Sequence, residues 1–131
     1  MAINFTHATS VSKVLVDKFI GENTDVIVTS ICTEDGFSIY QGNSNQCDLE
    51  SDKMAAIVSS LTSISEASIK GIKSGEFNMV LIDSKETNLL IKKTNLTGHE
   101  VILSIGISTK ISIGKSIFLI ERLSRELSKL K

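Results

Sequence analysis

The side chains of this chain best equipped for chemistry are few and scattered. Gly114-Lys115-Ser116 matches the last three positions of a phosphate-binding loop, where backbone amides cradle phosphates, a lysine neutralises them and a hydroxyl holds magnesium. The glycine required five positions earlier falls on Thr109, so the motif is incomplete. What it leaves is the weaker reading that amides at a helix start meet a phosphate. Cys32 and Cys47 lack CxxC spacing and fit a reducing compartment. Cys32 lies in a β-like run and reads as a small buried hydrophobe, whereas Cys47 sits in the polar loop from Gly42 to Asp48, open to oxidation. His7 and His99 stand apart from each other and from any acid or thiol at metal-ligand spacing. Asp35 and Asp83 read as turn residues. Asn4-Phe5-Thr6 and Asn95-Leu96-Thr97 fit the glycosylation pattern, which matters only for a secreted chain. No GxSxG, HExxH, paired carboxylates or nucleophile beside a base is visible. The sequence therefore predicts no catalytic residue, no cofactor and no metal: not an enzyme.

Composition narrows the alternatives. With 131 residues, a formal charge of −1 and no basic cluster beyond Lys92-Lys93, the chain lacks the basic stripe of a nucleic-acid binder. One Tyr, no Trp and five dispersed Phe do not make a base-stacking platform. No apolar run approaches the roughly 20 residues of a membrane span, and the start has neither a basic n-region nor a long apolar h-region. The expectation is one cytoplasmic domain over 1–131, with residues 1–9 frayed.

The elements that would position a site follow from periodicity. A helix is predicted from near Ser10, with Val11, Val14, Leu15 and Phe19 on one face and a stop at Gly21. Asp25 to Thr33 is apolar on both faces through Val26, Ile27, Val28 and Ile31, which predicts a central strand. Thr33-Glu34-Asp35-Gly36-Phe37 reads as a hairpin turn, with Gly36 taking positive φ, and Phe37 to Gln41 returns beside the first strand. Past a long helix come Phe77 to Asp83, Asn88 to Thr94 and Glu100 to Ile107, joined by short polar links as an antiparallel meander. Ser112 to Leu130 closes the chain with Ile113, Ile117, Ile120, Leu123, Leu127 and Leu130 on one stripe and Glu121/Arg125 and Arg122/Glu126 as ion pairs. The fold class is α+β in the order αββαβββα, a five-stranded antiparallel sheet covered by helices.

Leu49 to Ile82 stands out within this order. In the long helix, capped by Asp48 or Ser51, the residues Met54, Ile57, Val58, Leu61, Ile64, Ile69 and Ile72 form a stripe predicted to pack on the sheet. Beside it Ala56, Ser60, Ser63, Ala67 and Gly71 make a seam of small side chains. Between Lys53 and Lys70 the only charge is Glu66, fewer than is usual for a helix with one face in water. Either this Ser-rich helix simply faces water, which serine tolerates at a modest propensity cost, or it has a second covering surface, for which a copy of the same helix fits. The strand that follows, Phe77-Asn78-Met79-Val80-Leu81-Ile82, is apolar on both faces and has no proline to protect it at an edge.

This order resembles the roadblock (dynein light chain) family, in three places above all. These are the hairpin from Val26 to Phe37, the pair Leu89-Leu90-Ile91-Lys92 with Val101-Ile102-Leu103-Ser104-Ile105, and Ile113-Gly114-Lys115-Ser116-Ile117 opening the last helix. The likeness runs from about Val11 to Leu130. It implies a homodimer, or a heterodimer of related chains, whose sheet continues across the pair through Phe77, Asn78, Met79, Val80, Leu81 and Ile82, with Ala56, Ser60, Ser63 and Ala67 at a helix contact. It further implies a non-catalytic module that docks and regulates a small Ras-like GTPase as scaffold or activator, for which the helix face around Thr62, Glu66 and Lys70 is the expected surface. Arg122 and Arg125, the only arginines, are tied into the last helix, so activation would work through the GTPase's own switch residues. The alternative reading is a PAS- or profilin-like small-molecule sensor, for which the chain has few aromatics to line a pocket.

Overall fold

A computed structural model describes residues 2–73 and 75–131. Its elements are α1 (Phe5–Glu22), β1 (Val26–Cys32), β2 (Ser38–Asn43), α2 (Ser51–Ile72), β3 (Met79–Ile82), β4 (Thr87–Leu96), β5 (His99–Ser108) and α3 (Ile113–Ser128). The five strands form one sheet in the order β2-β1-β5-β4-β3, with every neighbouring pair antiparallel. This is the α+β order that the sequence predicts.

Strand alternation explains the layers. Ile31, Leu90, Leu103 and Ile105 point to one face and join Val16, Phe19, Leu119, Ile120, Leu123 and Leu127 of α1 and α3 in the larger core. Cys32, Ile91 and Ile102 point to the other face and join Met54, Ala55 and Val58 of α2. β1 is buried on both sides, as its continuous apolar run predicts. Gly36 turns the β1–β2 hairpin at φ 91°, and its backbone approaches α2 so closely that a Cβ would stand 3.1 Å from the Ser59 hydroxyl. The β4–β5 hairpin is tighter than the predicted link, with Thr97 (φ 50°) and Gly98 (φ 82°) between the strands.

Four expectations change at the helices. Residues 5–9 are helical and not frayed: Asn4 accepts a hydrogen bond from the His7 amide (3.1 Å), so α1 begins five residues before Ser10, and the His7 ring bonds the Lys131 carbonyl at 2.7 Å. Val14 is exposed, because α1 turns Ala8, Ser12, Val16 and Phe19 inward. The N-cap of α2 is Glu50 with no side-chain bond, in place of Asp48 or Ser51. Glu121 reaches across to Lys92 of β4 (3.5 Å) in place of Arg125, while the Arg122–Glu126 pair forms at 3.8 Å.

The two sheet edges differ. On β2, the Thr9 hydroxyl donates to the Ile39 carbonyl (2.8 Å), and Gly42 lies so close to α1 that a Cβ would meet Ile20 at 2.6 Å and Val16 at 2.9 Å. On β3 no hydrogen bond among the described residues reaches the outer edge.

Candidate docking surface

The distinctive surface is built from α2 and β3. Helical spacing turns Met54, Ala55, Val58, Ser59 and Thr62 onto the sheet, and there burial of this helix ends. The long apolar stripe is thus only half covered. Ile57, Ile64, Ile69 and Ile72 are exposed by 41%, 64%, 41% and 82% of their surface, contrary to the expectation that they pack on the sheet. The physical reason is reach: β3 has four residues, pairing Met79 with Lys92 and Ile82 with Leu89, and leaves no strand beneath the outer flank of α2.

Ile57 and Ile64 lie two turns apart on one flank of α2. Leu61 between them packs against the same cluster as Val80 of β3. Leu81 and Ile82 are also partly open to solvent, at 40% and 39%. An apolar helix flank therefore stands beside a strand whose backbone edge is free. Such an edge is a template for another strand.

The residues singled out from sequence divide accordingly. Ala56, Ser60, Ser63 and Ala67 are exposed along α2, with Ala56 close to Gly36 of the β1–β2 turn and Ser60 and Ser63 lining a shallow depression together with Glu34, Asp35 and Ile64. Met79 and Val80 are half-buried within β3, Leu81 is exposed, and Phe77 and Asn78 precede the strand. The Asn78 side chain accepts a hydrogen bond from Lys92 at 3.1 Å. Thr62 is not a surface residue: it is 1% exposed and its hydroxyl donates to the Val58 carbonyl at 2.9 Å, which removes it from any docking face. Lys70 is exposed, and Glu66 is engaged with Lys93 at 3.0 Å.

Lys93 belongs to a cluster that sequence reasoning missed. Its ammonium lies 3.4 Å from Glu34, 3.0 Å from Glu66 and 3.0 Å from Glu100, bringing together the β1–β2 turn, α2, β4 and β5. Burial pulls the Lys93 pKa down, but the bonds to Glu100 and Glu66 and the field of Glu34 outweigh it and hold the ammonium above the usual lysine range. The Glu100 carboxylate beside it and burial push the Glu34 pKa up against the pull of Lys93, and Glu100 is correspondingly held down by Glu34 and Lys93. The signal available in sequence was register: Lys93 follows Leu89 and Ile91 on the α2-facing side of β4, where an apolar residue would be expected.

The reactive candidates are placed as structural groups. The Cys32 thiol is buried, and burial pushes its pKa to about 12, so it is a thiol and not a thiolate at neutral pH. Cys47 is half-buried in its loop. At the start of α3, the Ser112 hydroxyl accepts from the Lys115 amide (3.2 Å) and the Ser116 hydroxyl donates back to the Ser112 carbonyl, which engages the one hydroxyl of the incomplete phosphate motif. Among the described residues no group of three or more His, Cys, Asp or Glu is arranged to hold a metal, and no helix is long and apolar enough to cross a membrane.

With this geometry in hand, the family model described as Roadblock/LC7 domain matches residues 13–103, more than half of the chain. The chain belongs to the Roadblock/LC7 family. Its fold is shared with solved Roadblock/LC7 relatives at low sequence identity. An MglB described as having a tetrameric arrangement superposes with a TM-score of 0.76 at 14% identity, over 93% of this chain and 88% of that one. Myxococcus xanthus MglB gives 0.75 at 16% identity, over 98% and 90%. A Roadblock/LC7 domain from Streptomyces avermitilis gives 0.70 at 16% identity, over 86% and 90%. No curated protein matches the chain in sequence.

Proposed function

We propose that this Roadblock/LC7 chain is a non-catalytic cytoplasmic module that pairs with a second copy of itself and, as a pair, docks and regulates a small Ras-like GTPase. The observation that carries the reading is the juxtaposition of the exposed Ile57 and Ile64 flank with the free edge of β3. In a symmetric pair, β3 would meet β3 and extend the sheet, with Met79, Val80 and Leu81 in the joint and Phe77 and Asn78 at its margin. The Ile57–Ile64 flank of each α2 would then face its copy. Burial of about 800 Å² per partner is ordinary for such an interface. Ala56, Ser60, Ser63 and Ala67 would stay on the outside with Lys70, a flat and weakly charged strip on which a GTPase can lie. Membership of the family supports the GTPase as partner, because roadblock proteins of this kind regulate such enzymes.

Two measurements test the reading. Light scattering at micromolar concentration should return the mass of two chains, and a GTP-loaded small GTPase immobilised on a sensor should retain the protein more strongly than its GDP form. The mass of one chain would overturn the pairing. Retention by neither nucleotide form, across the GTPases of the native cell, would overturn the docking.

A further inference from the structure

We propose that the Glu66–Lys93 ion pair is a latch that holds the carboxy-terminal half of α2 where a partner can meet it, so that α2 works as an anchored half and a releasable half. This regulates the surface named under Proposed function and rests on that reading for its consequence, though not for its geometry. In the first half of α2, Met54, Ala55, Val58, Ser59 and Thr62 are buried. In the second half, from Ser63 to Ile72, no residue is buried, and Ile64, Ile69 and Ile72 stand in water. Among the described residues, the only side-chain hydrogen bond that leaves this stretch is the one Glu66 receives from Lys93, at 3.0 Å. Ser68 bonds within the helix, to the Ile64 carbonyl.

The design of the receiving end supports release. One ammonium is shared by three carboxylates, so Glu34 and Glu100 hold Lys93 in place and charged whether or not Glu66 is bound. Opening the latch therefore leaves no unpaired cation behind, which is the usual penalty for breaking a half-buried pair. Glu66 and Lys93 keep 29% and 24% of their side-chain surface exposed, so dissolved salt reaches the pair and weakens it. Local opening of a segment with few buried groups is low in free energy, and it need not unseat Met54 or Val58.

The test is Glu66→Gln in the full chain, followed by amide hydrogen exchange and by light scattering on dilution. Gln matches Glu in helix propensity, so the helix itself is retained. Exchange in residues 63–73 should accelerate by about three- to fivefold, the size of one partly exposed ion pair, while residues 54–62 and strands β1 and β5 keep their rates. Raised salt should accelerate the same stretch in the unmodified protein and have little further effect on the variant. Glu34→Gln, which removes a competitor, should leave residues 63–73 unchanged or slower. Unchanged exchange at 63–73 in Glu66→Gln, or acceleration spread evenly over the whole chain, overturns the latch. Acceleration confined to 63–73 with an unaltered dilution curve upholds the latch and overturns the role of that half of α2 in pairing.

Discussion

Ile64→Ser separates a residue that is exposed by accident from one that is exposed for a partner. Ile64 keeps 64% of its surface open in the single chain. Full burial of an isoleucine is worth about 1.5–3 kcal/mol, so covering the open part yields about 1–2 kcal/mol per copy and about 2–4 kcal/mol for a symmetric pair. At about 1.4 kcal/mol per tenfold, replacing it by serine should raise the dissociation constant of the pair about 30- to 700-fold. The folded single chain should barely notice, because Ile and Ser have similar helix propensity and surface changes usually stay within about 0.5 kcal/mol. Sedimentation of a dilution series gives the first quantity, and urea unfolding below the dissociation constant gives the second. A dissociation constant within threefold of the original refutes the pairing flank. A loss of more than about 1 kcal/mol in the single chain would show instead that Ile64 is covered from within.

Four further outcomes follow from the packing. Gly42→Ala should destabilise by about 1–3 kcal/mol in chemical unfolding, because its Cβ would press on Ile20 and Val16 of α1. Thr97→Asn should raise stability by about 0.5–1 kcal/mol, because a β-branched residue at φ 50° is strained where Asn-Gly is the favoured hairpin turn; an unchanged melting temperature would deny the strain. Ser30 and Ser104 face each other across β1 and β5 on the α2 side, buried and with no protein hydrogen bond, so Ser104→Ala should be neutral or stabilising, and a loss of about 1 kcal/mol would show that the hydroxyl is satisfied. Asp17 accepts from the Tyr40 hydroxyl (2.6 Å) and Lys13 (3.0 Å), which hold its pKa below the ordinary 3.8. A depressed folded pKa stabilises above the unfolded value and the effect is lost as pH falls through the folded one, so Tyr40→Phe should move the Asp17 carboxyl titration upward in an NMR series.

Much of this fold is legible in one sequence because its signals are local. The double-faced apolar run of β1 marks a central strand, Gly36 marks its turn, and Leu123 and Leu127 mark the buried face of α3. The stripe of α2 misleads at Ile57 and again past Leu61, since a period of 3.6 reports that a flank avoids water and not which body covers it. The small-residue seam was legible as surface, but its direction depended on where the β1–β2 turn crosses the helix. Thr62 illustrates the same limit, a polar residue that bonds its own helix and turns inward. The Lys93 cluster gathers positions 34, 66, 93 and 100 from four segments, so no window of sequence contains it. Only the misplaced charge at the end of Leu89, Ile91, Lys93 hinted at it.

The unequal borders of the sheet set how far self-association can run. A ribbon open on both sides would recruit copy after copy and grow into a fibre, whereas here α1 bonds the β2 border at Ile39 and, among the described residues, no hydrogen bond reaches the outer border of β3. In the proposed pair, union through that border would consume it in both molecules at once. The proposed stoichiometry would then terminate itself, with the hydroxyl of Thr9 on the β2 side as part of what keeps it so.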